Sequence, residues 1–160
     1  MREFVRTVVH SLEAGESVEL VSVLEAGGST PRGAGAMLAV FQTGAPIGTV
    51  GGGNVEYEAI QLAKELLASG GSAVRRYQFI QGEAASLGMV CGGDVTLHFQ
   101  YLPAGDAETI SLLRELMAAT GGNADVWLIR KLEEERVVGM GLVSRTRSMT
   151  DGGSGRPAWK

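Results

Sequence analysis

Residues 48–59 read GTVGGGNVEYEA, with Gly51, Gly52 and Gly53 set between a short apolar run and the start of a helical pattern. Glycine costs conformational entropy in an ordered chain, so three in a row imply unusual backbone dihedrals or close approach of something to the backbone. The segment that follows, with Val55, Ala59, Leu62, Ala63 and Leu66 at helical spacing, predicts a helix for which Asn54 is the expected N-cap. An apolar run, a glycine turn and then a helix is the grammar of an α/β domain.

The rest of the chain extends that grammar in both directions. Phe4, Val5, Val8, Val9 and Leu12 predict a first helix over residues 2–14, and SVELVSVLEA (17–26) a strand. GGSTPRGAG (27–35) reads as a loop, and AMLAVFQTGAPIGTV (36–50) as a hairpin turning near Thr43 and Gly44. AVRRYQFI (73–80) reads as another strand. In DVTLHFQYL (94–102), Val95, Leu97, Phe99 and Tyr101 alternate with Thr96, His98 and Gln100, which predicts a strand buried on one face. A third helix is expected over 107–120, with Ile110, Leu113, Leu116 and Met117 inward, then a hairpin turning on Glu133, Glu134 and Glu135. The expected architecture is α/β, a mixed β-sheet with about three helices, hairpins interrupting the βα units. The domain is expected to span 1–144, with 145–160 a linker or disordered tail.

Composition narrows the function. The 160 residues are 44% hydrophobic and 20% charged with net charge −4, which describes an ordinary globular chain rather than a nucleic-acid or membrane-surface binder. Four cations (Arg145, Arg147, Arg156, Lys160) face one anion, Asp151, in the last 16 residues, so the body carries the acidic excess. The single cysteine, Cys91, excludes an internal disulfide framework, and no apolar run is long enough for a signal core or a membrane span. A cytoplasmic location is the expectation.

Neither common phosphate motif is complete. Gly51 and Gly53 fit the dinucleotide fingerprint, but Glu56 stands where its third glycine belongs; Gly28 and Gly33 fit a Walker loop, but Ala34 replaces the lysine. Free N–H groups at a helix N-terminus still suit an anion, and Ser29, Thr30 and Arg32 add two hydroxyls and a guanidinium. Cys91, beside Gly92 and Gly93, could ligate a soft metal, carry sulfur or simply be buried. His10 and His98 show no spacing that ties either to it. On the residues alone, a ligand-lined loop and a tight glycine turn both stand.

Three loops in order, GGSTPRGAGAML, GTVGGGNVEYEA and GMVCGGDVTL, resemble the N-terminal domain of the xanthine dehydrogenase accessory family, the XdhC/CoxI type. The resemblance is carried by Gly28–Gly35, Gly48–Glu56 and Cys91–Gly93, and covers residues 1–102. It implies a chaperone rather than an enzyme: a protein that binds the molybdenum cofactor, carries it without using it, assists its sulfuration and inserts it into an apo molybdenum hydroxylase of the xanthine dehydrogenase type. The implied partners are that apo-enzyme, a sulfur-donating cysteine desulfurase and a second copy in a homodimer. The expected cofactor-binding residues are Ser29, Thr30, Arg32, Gly51, Gly52, Gly53, Asn54, Glu56, Cys91, Gly92 and Gly93, with Cys91 as the metal ligand and Glu56 accepting from the pterin edge. The family's second, Rossmann-like domain has no counterpart in these 160 residues, and Asn54 stands where some relatives place a second cysteine. Two other readings follow from the same residues: a sulfur or acyl transferase with Cys91 as nucleophile, and a partner-docking module with no small-molecule ligand.

Overall fold

A computed structural model describes residues 1–78, 93–120 and 124–146. The elements run α1 (Arg2–Glu13), β1 (Val18–Gly28), β2 (Met37–Phe41), β3 (Ile47–Gly48), α2 (Gly53–Ser69), β4 (Ala73–Gln78), β5 (Gly93–Leu102), α3 (Ala107–Ala119), β6 (Ala124–Glu133) and β7 (Arg136–Thr146). Strands 1–5 form one sheet in the order β3-β2-β1-β5-β4, and β6 and β7 form a separate two-stranded ribbon.

The α/β class and the three helices are as the sequence implies. The mixed sheet is corrected in one respect: every ladder is antiparallel. Parallel neighbours need a long crossover, whereas β1, β2 and β3 follow one another through short connections. Strand β7 continues to Thr146, two residues past the expected boundary at 144, and residues 147–160 lie outside the described part.

Two apolar layers hold the sheet. On one face, Val21, Val23, Leu38, Val40, Val95, Leu97 and Phe99 pack against Val55, Ala59 and Ala63 of α2. The two alanines let the helix backbone approach closely. On the other face, Val18, Leu20, Ala39, Phe41 and Leu102 meet Val5, Val8, Val9 and Leu12 of α1 and Ile110, Leu113 and Leu116 of α3. The ribbon adds Val126, Leu128 and Leu142 to this second layer. With both faces covered, β1 is buried continuously from Val18 to Val23.

Strand β5 departs from the one-sided burial its alternation predicts. His98 is fully buried and Gln100 only 5% exposed, because the β6–β7 ribbon lies over the polar face. At the start of α2, the cap is Gly52, not Asn54, whose side-chain amide instead donates to Glu58 at 2.6 Å.

Candidate functional site

The triple glycine owes its composition to backbone conformation. Gly51, Gly52 and Gly53 have φ of 145°, 76° and 60°, a run of positive values that side chains with a Cβ would adopt only under strain. A Cβ on Gly52 would meet nothing within 4 Å, so dihedral angle rather than space demands glycine there.

The resulting turn aims its amides at Glu56. One carboxylate oxygen, Oε2, accepts from the Thr49 hydroxyl, from Val50 N at 3.0 Å and from Gly52 N at 3.1 Å. Gly51 N donates to Thr49 Oγ1 at 3.2 Å, which closes the network. Partial burial raises the Glu56 pKa, but the bonds from Thr49 and from the Gly52, Val50 and Gly51 amides outweigh it, and the net shift is below 4.5. An acidic side chain reaching back to the cap N–H follows the logic of a capping box, displaced here by one position. Thr49 was not singled out by sequence; the signal available was a hydroxyl ahead of the glycines with a carboxylate at the helix start.

The first two glycine loops, and Gly93 at the end of the third, reach one end of the sheet. The β1–β5 ladder pairs Gly28 with Gly93. A Cβ on Gly93 would fall 2.5 Å from Gly27 O, 3.0 Å from Ser29 O and 3.1 Å from Thr30 Cγ2, so close strand contact requires glycine. Pro31 carbons lie 3.9 Å from where a Gly51 Cβ would stand, which puts the first loop beside the second. The Thr30 hydroxyl donates to Arg32 O at 3.1 Å, and Arg32 itself is exposed with no ion-pair partner among the described residues. Ser29, Thr30, Gly51 and Gly93 are thus brought together, with Arg32, Gly52, Gly53, Asn54 and Glu56 on the adjoining stretches of the same loops. Cys91 and Gly92 lie outside the described residues, so the assignments made to them rest on sequence.

Beside this convergence, Arg76 Nη2 bonds Asp94 Oδ2 at 2.7 Å, and Asp94 Oδ1 sits 2.7 Å from the position of a Gly27 Cβ. Sequence reading missed this pair because it forms across strands β4 and β5, 18 positions apart.

A second polar group lies under the ribbon. Arg130 donates to Ser22 Oγ at 2.6 Å and to Gln100 Oε1 at 3.2 Å, while the Gln100 amide reaches Met140 Sδ at 3.4 Å. His98 Nε2–H donates to the Glu135 carbonyl at 3.2 Å, and Nδ1 has no partner among the described residues. Burial and the Arg130 charge hold the His98 pKa below 6.5 against the opposing pull of Glu135, so the ring is neutral at pH 7. Among the described residues no group of three His, Cys, Asp or Glu could hold a metal ion, and no helix is long and apolar enough to cross a membrane.

The XdhC and CoxI family matches residues 11–78, which hold the first two glycine loops. The similarity to that family is carried by this segment, less than half of the chain. The molybdenum cofactor insertion chaperone PaoD of Escherichia coli (strain K12) is 34% identical over 99 residues, covering 60% of this chain and 30% of PaoD. A crystal structure of a xanthine dehydrogenase from Bacillus halodurans superposes with a TM-score of 0.69 at 16% identity, over 94% of this chain and 45% of that one. That likeness concerns the fold alone. The chain spans well under two thirds of the length of both relatives.

Proposed function

We propose that this chain binds the molybdenum cofactor at the end of the sheet where the glycine loops meet, and delivers it to a molybdenum hydroxylase of the xanthine dehydrogenase type. The observation that carries the reading is the meeting of Ser29, Thr30 and Pro31 with Gly51 and Gly93, in a chain whose 34%-identical relative is a molybdenum cofactor insertion chaperone.

The residues suit this cargo. The exposed Arg32 guanidinium offers a fork for a phosphate, and the Gly53 and Asn54 amides lie at the positive end of the α2 dipole. The Glu56 bonds fall on Oε2, which leaves Oε1 to accept from the amino and amide edge of a pterin. The same carboxylate therefore shapes the loop and faces the ligand. Cys91 lies two residues before Gly93 and supplies a thiolate suited to molybdenum. In this reading the protein binds and shields the cofactor without turning it over, takes sulfur from a cysteine desulfurase, works in the cytoplasm and pairs with a second copy.

The test is anaerobic gel filtration with the molybdenum cofactor, comparing the native chain with Cys91→Ala and Arg32→Ala. The expected result is pterin and metal in the native protein peak and less in both variants. A native peak free of pterin would defeat the reading and leave the docking module. Rapid alkylation of Cys91 with turnover of a sulfur or acyl donor would favour the transferase.

A further inference from the structure

A cavity of about 580 Å³ opens at the other end of β5 from the glycine loops, between α3, the end of β5 and one side of β7. Its α3 wall is formed by Glu108, Ser111, Leu112 and Glu115, spaced i, i+3, i+4 and i+7, together with Thr109. Ile110, Leu113 and Leu116, which anchor the helix, face away from it, and the buried Thr109 borders both sides. The β7 wall is the unbroken run Val137–Met140. Consecutive residues of a strand line one hollow only when the strand presents its edge, and among the described residues β7 pairs with β6 alone. The register slips between Lys131 and Leu132, which leaves Val138 as the extra residue of a bulge, 50% exposed.

The charge on this groove has one sign. Asp106, Glu108 and Glu115 line it, and among the described residues no lysine, arginine or histidine does. Glu108 and Glu115 are exposed and make no ion pair among the described residues. Arg136 lies in the adjoining hollow with Gly70 and Gly71. An apolar β7 wall facing the exposed carboxylates of Glu108 and Glu115 on α3 is complementary to an apolar side chain accompanied by cations.

The geometry points to this groove as a docking site for a partner protein, engaged through a segment in which an apolar side chain is flanked by lysine or arginine. The apolar residue seats against Val137, Val138 and Met140, and the cations meet Glu108 and Glu115. The site is remote from the glycine loops, so it stands or falls apart from the cofactor reading.

The probe is a fluorescein-labelled peptide with one leucine between two lysines, titrated with the full chain by fluorescence anisotropy beside its glutamate counterpart. The lysine peptide is expected to bind, the glutamate peptide not. Glu108→Lys/Glu115→Lys is expected to weaken binding at least tenfold. Glu25→Lys/Glu65→Lys, with the same change in net charge on exposed positions away from the groove, is expected to weaken it less than threefold. Val138→Asn, at an exposed position that leaves the core intact, is expected to weaken it several-fold. Equal losses in the two charge-reversed proteins would overturn the proposal in favour of general charge attraction. Undetectable binding to the native chain, or sedimentation showing a dimer that Glu108→Lys/Glu115→Lys dissociates, would overturn it as well.

Discussion

Glu56 lies seven residues after Thr49 and accepts its hydroxyl hydrogen, closing the triple-glycine turn onto the first turn of α2. The turn and the helix are therefore one unit, and the carboxylate that neutralises the amides also keeps them in register with the helix. Replacing Glu56 with Gln removes a charged acceptor shared by three donors and is expected to cost about 1–3 kcal/mol, read from urea unfolding. The pKa of Glu56 is lower in the fold than when unfolded, so its contribution is complete above 4.5 and fades as pH falls through the lower folded value. Glu56→Gln is accordingly expected to flatten the stability curve on the acid side of 4.5. An unchanged acid limb would remove the carboxylate from this role.

Gly52 and Gly48 test two different demands for glycine. Gly52, at φ 76° with open space at the Cβ position, is expected to lose about 1–2 kcal/mol on replacement by Ala, and less on replacement by Asn. At Gly48 a Cβ would lie 2.3 Å from Met37 O, in addition to φ of 84°, so Gly48→Ala is expected to lose more. Urea midpoints measured side by side decide the order; equal losses would contradict it.

Glu19 is fully buried, stands between Val40 and Tyr101 in the sheet register, and among the described residues has no partner for either carboxylate oxygen. Burial raises its pKa to about 8 from 4.5, so the folded protein holds a proton that the unfolded chain releases. Its contribution to stability is present below 4.5 and is lost as pH rises toward 8. Glu19→Gln is expected to remove that slope and to stabilise the fold at pH 7 by on the order of 2 kcal/mol. Thermal melts from pH 4 to pH 9 make the comparison, and parallel native and variant curves would show that Glu19 ionises freely.

Arg130 fastens the ribbon to the sheet through Ser22 and Gln100. Arg130→Met is expected to destabilise by about 1–3 kcal/mol, because two buried acceptors lose their donor. A double-mutant cycle with Ser22→Ala should return a coupling of about 1 kcal/mol or more. Simple additivity would mean the contact carries no energy.

Arg32 is exposed and unpaired among the described residues, so Arg32→Ala is expected to change stability by less than about 0.5 kcal/mol. Retention of pterin is expected to fall severalfold in the same protein. Loss of stability without loss of pterin would reverse the assignment.

Much of the fold was legible because it is local. The helix ends, expected at 14 and 120 and found one residue earlier, the buried stripes of α1 and α3 and the turn at Glu134 follow from spacing within a dozen residues. Local patterning could not supply what approaches from far along the chain. The polar face of β5 reads as solvent-facing, yet Arg130, 30 positions after Gln100, covers it and makes its burial tolerable. Asn54 has the chemistry of a cap, but the positive φ at Gly52 moves the helix start and Glu56 takes the capping bonds.

By itself the sequence determined the three glycine loops, the α/β elements that carry them and the residue types available for an anion and a soft metal. Only the tertiary structure decided that the first two loops and the end of the third share one end of the sheet, because the Gly28–Gly93 pairing is set by a ladder between strands 65 residues apart. It alone decided that Glu56 is held by the turn it follows, and that α3 and the edge of β7 frame an acidic groove. Periodicity records which side of an element avoids water; the register and packing of distant elements decide what that side meets.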